Sequence, residues 1–174
     1  MMKKIISLAL CLAMILCAAC AVAEDGKTEM GLLNVGKAFS IRSVLPEGYT
    51  YEPGTDTGLN MVGVLSAGEE RPIITVSIGY AEEYADFERF NDLDEAAVEE
   101  IRQSFREEDE GLIFEDLETA YGTRLLKVSA AGYVDIYTVY KGYELEFVLT
   151  GPFTDADIQM LVDFISDMDF VPVE

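Results

Sequence analysis

The chain has 174 residues, 33 acidic against 12 basic, for a formal net charge of −21, with no His, no Trp and three Cys. A chain this acidic cannot neutralise a phosphate backbone, which excludes nucleic-acid binding. All three cysteines (Cys11, Cys17, Cys20) fall within residues 1–23. The remainder therefore has no material for a Cys/His zinc site, a disulfide framework, a Cys–His pair or a Ser–His–Asp triad.

Met1-Met2-Lys3-Lys4 is a short positive region, Ile5 to Val22 an apolar run, and Ala21-Val22-Ala23 a small-x-small cleavage site before Glu24-Asp25. This layout predicts a secretory signal peptide over residues 1–23. Its removal, which takes Lys3 and Lys4 but no acid, leaves 151 residues at −23. Two alternatives stand beside cleavage. Eighteen apolar residues at about 1.5 Å each nearly span a bilayer core of about 30 Å, which would make an uncleaved anchor. Lipidation of Cys20 is the other, although Cys17 stands where such signals usually carry Leu. The expected location is secreted or extracytoplasmic, with no membrane span after cleavage, or membrane-anchored under either alternative.

Residues 24–37 show no clear periodicity and predict a flexible leader. Residues 38–174 predict one domain. Phe39, Ile41 and Ser43 alternate with Ser40, Arg42 and Val44 before Leu45-Pro46-Glu47-Gly48, a strand running into a turn. Glu52-Pro53-Gly54 reads as a loop. Leu59–Ser66 and Pro72–Gly79 are β-rich runs joined by Ala67-Gly68-Glu69-Glu70, which predicts a hairpin. From Asn91 to Glu108, Leu93, Val98, Ile101 and Phe105 recur at helical spacing, with Asn91 or Asp92 as the cap.

Four strands follow, Leu112–Glu118, Thr123–Ala130, Tyr133–Tyr140 and Tyr143–Thr150. Lys141-Gly142 links the last two as a tight turn that sets Tyr140 opposite Tyr143. Val134, Ile136, Thr138 and Tyr140 then share a face with Tyr143, Leu145, Phe147 and Leu149. Glu144 and Glu146 take the other face, opposite Val139 and Tyr137. Thr154 with Asp157 predicts a capped helix, stapled by Phe153 on Ile158 and striped by Ile158, Leu161, Val162, Ile165 and Met168. Asp169–Val173 closes the chain as a short strand or tail.

Two stretches resemble the PsbP-like domains. Phe39-Ser40-Ile41-Arg42-Ser43-Val44-Leu45-Pro46-Glu47-Gly48-Tyr49 is similar to their opening strand with its Pro-x-Gly-aromatic turn, and Tyr143–Phe170 is similar to their closing strand, Gly-Pro-x-Thr-Asp and helix. The resemblance implies an α+β fold, an α/β/α sandwich with a central antiparallel sheet and two main helices. It also implies a binding or accessory module with no chemistry of its own. The family includes a photosystem extrinsic subunit, a nuclear Ran-binding protein and secreted bacterial proteins of unknown role. The acidity and the lack of His set this chain apart from the photosystem members, and the expected signal excludes the nuclear role.

Among candidate sites, two carboxylates in a cleft would make a glycoside hydrolase, but such sites usually offer aromatic platforms, and Trp is lacking. Calcium is the alternative chemistry for an acidic exported protein. The clusters Asn91-Asp92-x-Asp94-Glu95 and Glu107-Glu108-Asp109-Glu110-Gly111 supply oxygens, yet neither has EF-hand spacing, and a solvated helix terminus is the competing reading for each. Tyr133, Tyr137, Glu144 and Glu146 share the outward face of the hairpin and form the candidate interaction surface, with packing of the two tyrosines under a helix or the leader as the competing reading. No catalytic set, cofactor motif or metal site is expected. The resulting expectation is a secreted or cell-envelope binding module for a protein or envelope component. A carboxylate-dependent glycoside hydrolase and a calcium-dependent adhesin-like module are the alternatives.

Overall fold

The computed structural model describes residues 26–33, 39–56 and 60–173. The signal expected over residues 1–23 lies outside the described residues, as do residues 24–25 and 34–37 of the expected leader. The described chain is mixed and mostly β, with two antiparallel sheets and two α-helices. Its strands are β1 (Thr28–Leu33), β2 (Phe39–Ser43), β3 (Thr50–Asp56), β4 (Asn60–Ser66), β5 (Ile73–Tyr80), β6 (Ile113–Glu118), β7 (Arg124–Ala130), β8 (Tyr133–Tyr140), β9 (Tyr143–Thr150) and β10 (Asp169–Pro172). Helix α1 is Glu95–Glu108 and α2 is Asp155–Ser166. The large sheet has the order β3-β4-β5-β9-β8-β7-β6 and the small one β1-β2-β10.

The β8–β9 hairpin has the expected register, Tyr140 opposite Tyr143, Val139 opposite Glu144 and Tyr137 opposite Glu146. Lys141 (φ 51°) and Gly142 (φ 81°) both take left-handed backbone, as a two-residue turn matched to strand twist requires. A Cβ on Gly142 would meet the Ala85 backbone at 3.0 Å, so the turn is also wedged against the loop after β5. β4 and β5 pair as expected, and β5 then joins β9 along its whole length, from Ile73 opposite Thr150 to Tyr80 opposite Tyr143.

Opposite faces of the large sheet feed two separate cores. Ile74, Val76, Ile78, Val134, Ile136, Leu145, Phe147 and Leu149 pack with Leu33, Phe39 and Ile41 of the small sheet and with Leu161, Phe164 and Ile165 of α2. Val98 and Ile101 of α1 instead pack with Leu126, Val128, Tyr137 and Val139. Helix α1 thus covers the β6–β8 half of its face. On the β4–β5 half, Val62 is 37 % exposed and Ile73 46 %.

Three expectations change. Part of the stretch read as a leader, Thr28–Leu33, is strand β1, whose register slips between Glu29 and Gly31; that irregularity hides the alternation. Pro53 and Gly54, read as loop, lie inside β3, which is an edge strand, where a residue without an N–H is tolerated. The cap of α1 is Asp94, whose Oδ1 accepts from the Ala97 N–H at 2.9 Å, while Asn91 and Asp92 belong to a preceding 3-10 turn. The capping box of α2 is as expected, the Thr154 N–H and hydroxyl both donating to Asp157 Oδ2.

Tyr51 joins the two sheets. Its hydroxyl donates to Met30 O of β1 at 2.9 Å, and its ring lies across Gly63 of β4, where an added Cβ would sit 2.2 Å from the hydroxyl oxygen. Gly63→Ala is therefore expected to destabilise the fold by about 1–3 kcal/mol through overpacking. A urea midpoint equal to wild type would show instead that the ring swings aside freely.

Candidate functional site

Strand periodicity places Tyr133, Asp135, Tyr137 and Val139 of β8 on one face with Glu144, Glu146 and Val148 of β9. At the turn end this row is sealed by hydrophobic packing, with Phe90, Leu93 and Val98 against Tyr137 and Val139. Towards Tyr133 it opens. There the last turns of α1 and the loop after it, with Ile101, Ser104, Phe105, Glu108, Asp109 and Leu112, form the far wall of a cavity of about 360 Å³. The helix ends at this point with the Asp109 N–H on Phe105 O, and Asp109 Oδ1 accepts from the Gly111 N–H at 2.8 Å.

All four residues of the candidate surface line this cavity. They do not form an exposed aromatic patch, however. Tyr137 is 2 % exposed and sits edge-on to Phe90 and Phe105, at 6.0 and 5.7 Å between ring centroids. Only the half-buried Tyr133, Glu144 and Glu146 reach towards solvent. The Tyr137 hydroxyl donates to Glu144 Oε1 at 2.6 Å. Burial first, and the Glu144 bond second, raise its pKa far above the ordinary phenol value, so it stays a donor.

Asp135 is the residue that the sequence reading passed over. It is 5 % exposed, it lines the cavity, and its Oδ1 has no hydrogen-bond partner. Burial, reinforced by the Glu146 charge and opposed by a hydrogen bond from the Phe147 backbone, pushes its carboxyl up to about 7. Glu146 is raised by burial and by the charges of Glu144 and Glu108. Tyr133 is raised by burial and by Asp109, Asp135 and Glu108. One signal in the sequence pointed to Asp135, namely its even spacing from Tyr133 and Tyr137 on the same strand face.

No Lys or Arg lines the cavity. The nearby cations are engaged elsewhere. Arg102 bridges Glu99 and Asp116, Arg106 pairs with Glu99, Arg124 holds Glu95 and Asp116, and Lys127 pairs with Glu115. The cavity is thus lined by five carboxylates and two phenols together with the apolar Ile101, Phe105, Leu112 and Val148.

The first of the two candidate calcium clusters is engaged locally. Asn91 bridges Gly122 O and the Arg124 N–H, Asp92 accepts from the Arg89 N–H, Asp94 caps α1 and Glu95 pairs with Arg124. Among the described residues no group of three or more Asp or Glu is placed to hold a metal ion. A larger cavity, about 490 Å³, lies on the other side of the sheet between β8–β9 and the α2–β10 segment. Its walls include Leu145, Ile165, Met168 and Phe170, and its one carboxylate, Asp169, is paired with Lys27.

No family model, curated protein or solved structure matches the chain. Among the described residues no helix is long and apolar enough to cross a membrane.

The carboxyl of Asp135 generates a stability prediction. A folded-state pKa raised from 3.8 to about 7 means that the folded chain keeps a proton which the unfolded chain releases. Stability is therefore lost as pH rises from about 4 to about 7, and the loss is complete above that. Asp135→Asn, which mimics the neutral acid, is expected to match wild type near pH 4 and to exceed it at pH 8. At about 1.4 kcal/mol per pKa unit the gain approaches roughly 4 kcal/mol. Thermal melts of both proteins across that range test this, and parallel curves would refute it.

Proposed function

We propose that the chain is a secreted or cell-envelope accessory module without catalytic activity, which holds a protein or envelope component in the cleft around Tyr133, Tyr137, Glu144 and Glu146. The observation that carries this reading is the convergence of these residues on one partly open cavity. It adjoins a half-sheet on which α1 leaves Val62 and Ile73 exposed. Buried groups that stay unpaired cost free energy, and a docking partner offers a reason to keep them. Within the same reading the fold is a PsbP-like α/β/α sandwich. What supports it is that α1 and α2 belong to separate cores fed by opposite faces of the antiparallel sheet.

A photo-crosslinking residue at position 133, in the full chain expressed in its own host, is expected to give one discrete envelope adduct. The same residue in place of Tyr121, which is 75 % exposed and lines the other cavity rather than the cleft, is expected to give none. No adduct at position 133, or the same adduct at both positions, would overturn the reading.

One observation favours a second reading, a carboxylate-dependent hydrolase. Asp135 is a diagonal neighbour of Glu146 across the ladder, a separation of about 7–8 Å in a regular sheet, and burial pushes its carboxyl up to about 7. Release of reducing sugar from a polysaccharide panel by wild type, lost in Asp135→Asn, would establish it.

A further inference from the structure

Resting on the binding-module reading, the chemistry of the cleft narrows what it binds. We infer that the cleft receives an alkylammonium group, with the charge among Asp135, Glu144 and Glu146 and the methylene stem along Phe105, Leu112 and Val148. The cavity of about 360 Å³ has the size of a small-ligand site. Its most buried acid, Asp135, is 5 % exposed, lines the cavity, and has a buried Oδ1 with no hydrogen-bond partner. Every charged group around it is negative: Glu108 and Asp109 from the end of α1, and Glu144 and Glu146 from β9, with the Tyr133 phenol beside them. The helix terminus adds to this field, because α1 points its negative dipole end at the cavity and its one basic last-turn residue, Arg106, is held by Glu99.

The carboxylates do not converge as a metal would need: no three among the described residues are placed to hold one ion. They line a floor with apolar and aromatic walls, and that arrangement suits a cation carrying its own stem. Tyr133 lines the same cavity, and the face of its ring would attract a cation seated over it. A cation also favours the ionised form of Asp135, so binding displaces its proton and tightens as pH rises from 6 to 8.

The free source of such a group is a polyamine, and the bound source is a lysine side chain of a partner. Titration of the full chain with cadaverine, and separately with a lysine peptide and its Nε-acetylated form, distinguishes them. Binding of cadaverine, or of the peptide but not its acetylated form, supports the inference. Asp135→Asn should weaken that binding at least tenfold, and circular dichroism confirms that this variant folds. Glu115→Gln, remote and paired with Lys127, should leave it unchanged.

If neither probe binds, or if calcium binds at these residues and both probes are inert, the inference falls. The two readings fail separately. Loss of ammonium binding with the position-133 adduct intact would sink only the ligand class. Ammonium binding without any envelope adduct would sink only the partner.

Discussion

The pairing of β8 with β9 is the constraint on which the rest of the molecule depends. Lys141 and Gly142 hold left-handed backbone, and this turn sets Tyr140 against Tyr143 with no slack. Because side chains alternate with a period of two, that one choice sorts sixteen strand residues. Ile136, Leu145, Phe147 and Leu149 go to the core shared with α2 and the small sheet. Asp135, Tyr137, Glu144 and Glu146 go to the face beneath α1. A shift by one residue would drive Glu144 and Glu146 into the larger core and turn Leu145 and Phe147 out. The cleft is therefore a consequence of the register that builds the core, and it cannot drift independently of it.

What turns a strand face into a cleft is the incomplete cover provided by α1. The helix packs Val98 and Ile101 on the β7–β8 region, and its last turn stops over Tyr133 and Asp135. Full cover would have required apolar residues at those positions; no cover would have left the acids hydrated. The partial cover removes water from Asp135 without giving its Oδ1 a partner. Burial and the Glu146 charge then act in the same direction and push its carboxyl up to about 7. The hydrogen bond from the Phe147 backbone opposes them, while the Tyr137 hydroxyl donates to the neighbouring Glu144 at 2.6 Å.

Local signals in the sequence were read correctly where a single energetic term dominates. The hairpin turn and the Thr154–Asp157 capping box each depend on neighbours within a few residues, whereas the stripe of α2 came out only in part, since the helix also buries Phe164 and ends at Ser166, before Met168. The readings that changed depend on tertiary context. Thr28–Leu33 has a register slip that breaks the alternation, and its pairing with β2 is what makes it a strand. Pro53-Gly54 looks like a turn, and only the edge position of β3 permits it to remain extended. In the site, parity found Tyr133, Tyr137, Glu144 and Glu146 but not the depth of Tyr137, because nothing local says that Phe90 and Phe105 close over it. Asp135 was missed for the same reason: an acid between two tyrosines on an outward face reads as solvated until a helix end is laid across it.

The distribution of charge then separates two kinds of acid in a chain with 33 of them. Most of those with defined contacts have tasks that use the charge. Asp94 and Asp157 cap helices, Asp116 gathers Arg102 and Arg124, and Glu99 holds Arg102 and Arg106. These are exposed or half-exposed pairs, individually worth little, and they consume most of the cations near α1. In the cleft Glu108 and Asp109 stay exposed and Glu144 and Glu146 half-buried, but Asp135 is withdrawn from water with no basic residue lining the cavity. Burying a carboxyl without a cation beside it is the reverse of what folding stability alone would favour. That cost falls where the fold has also made a cavity.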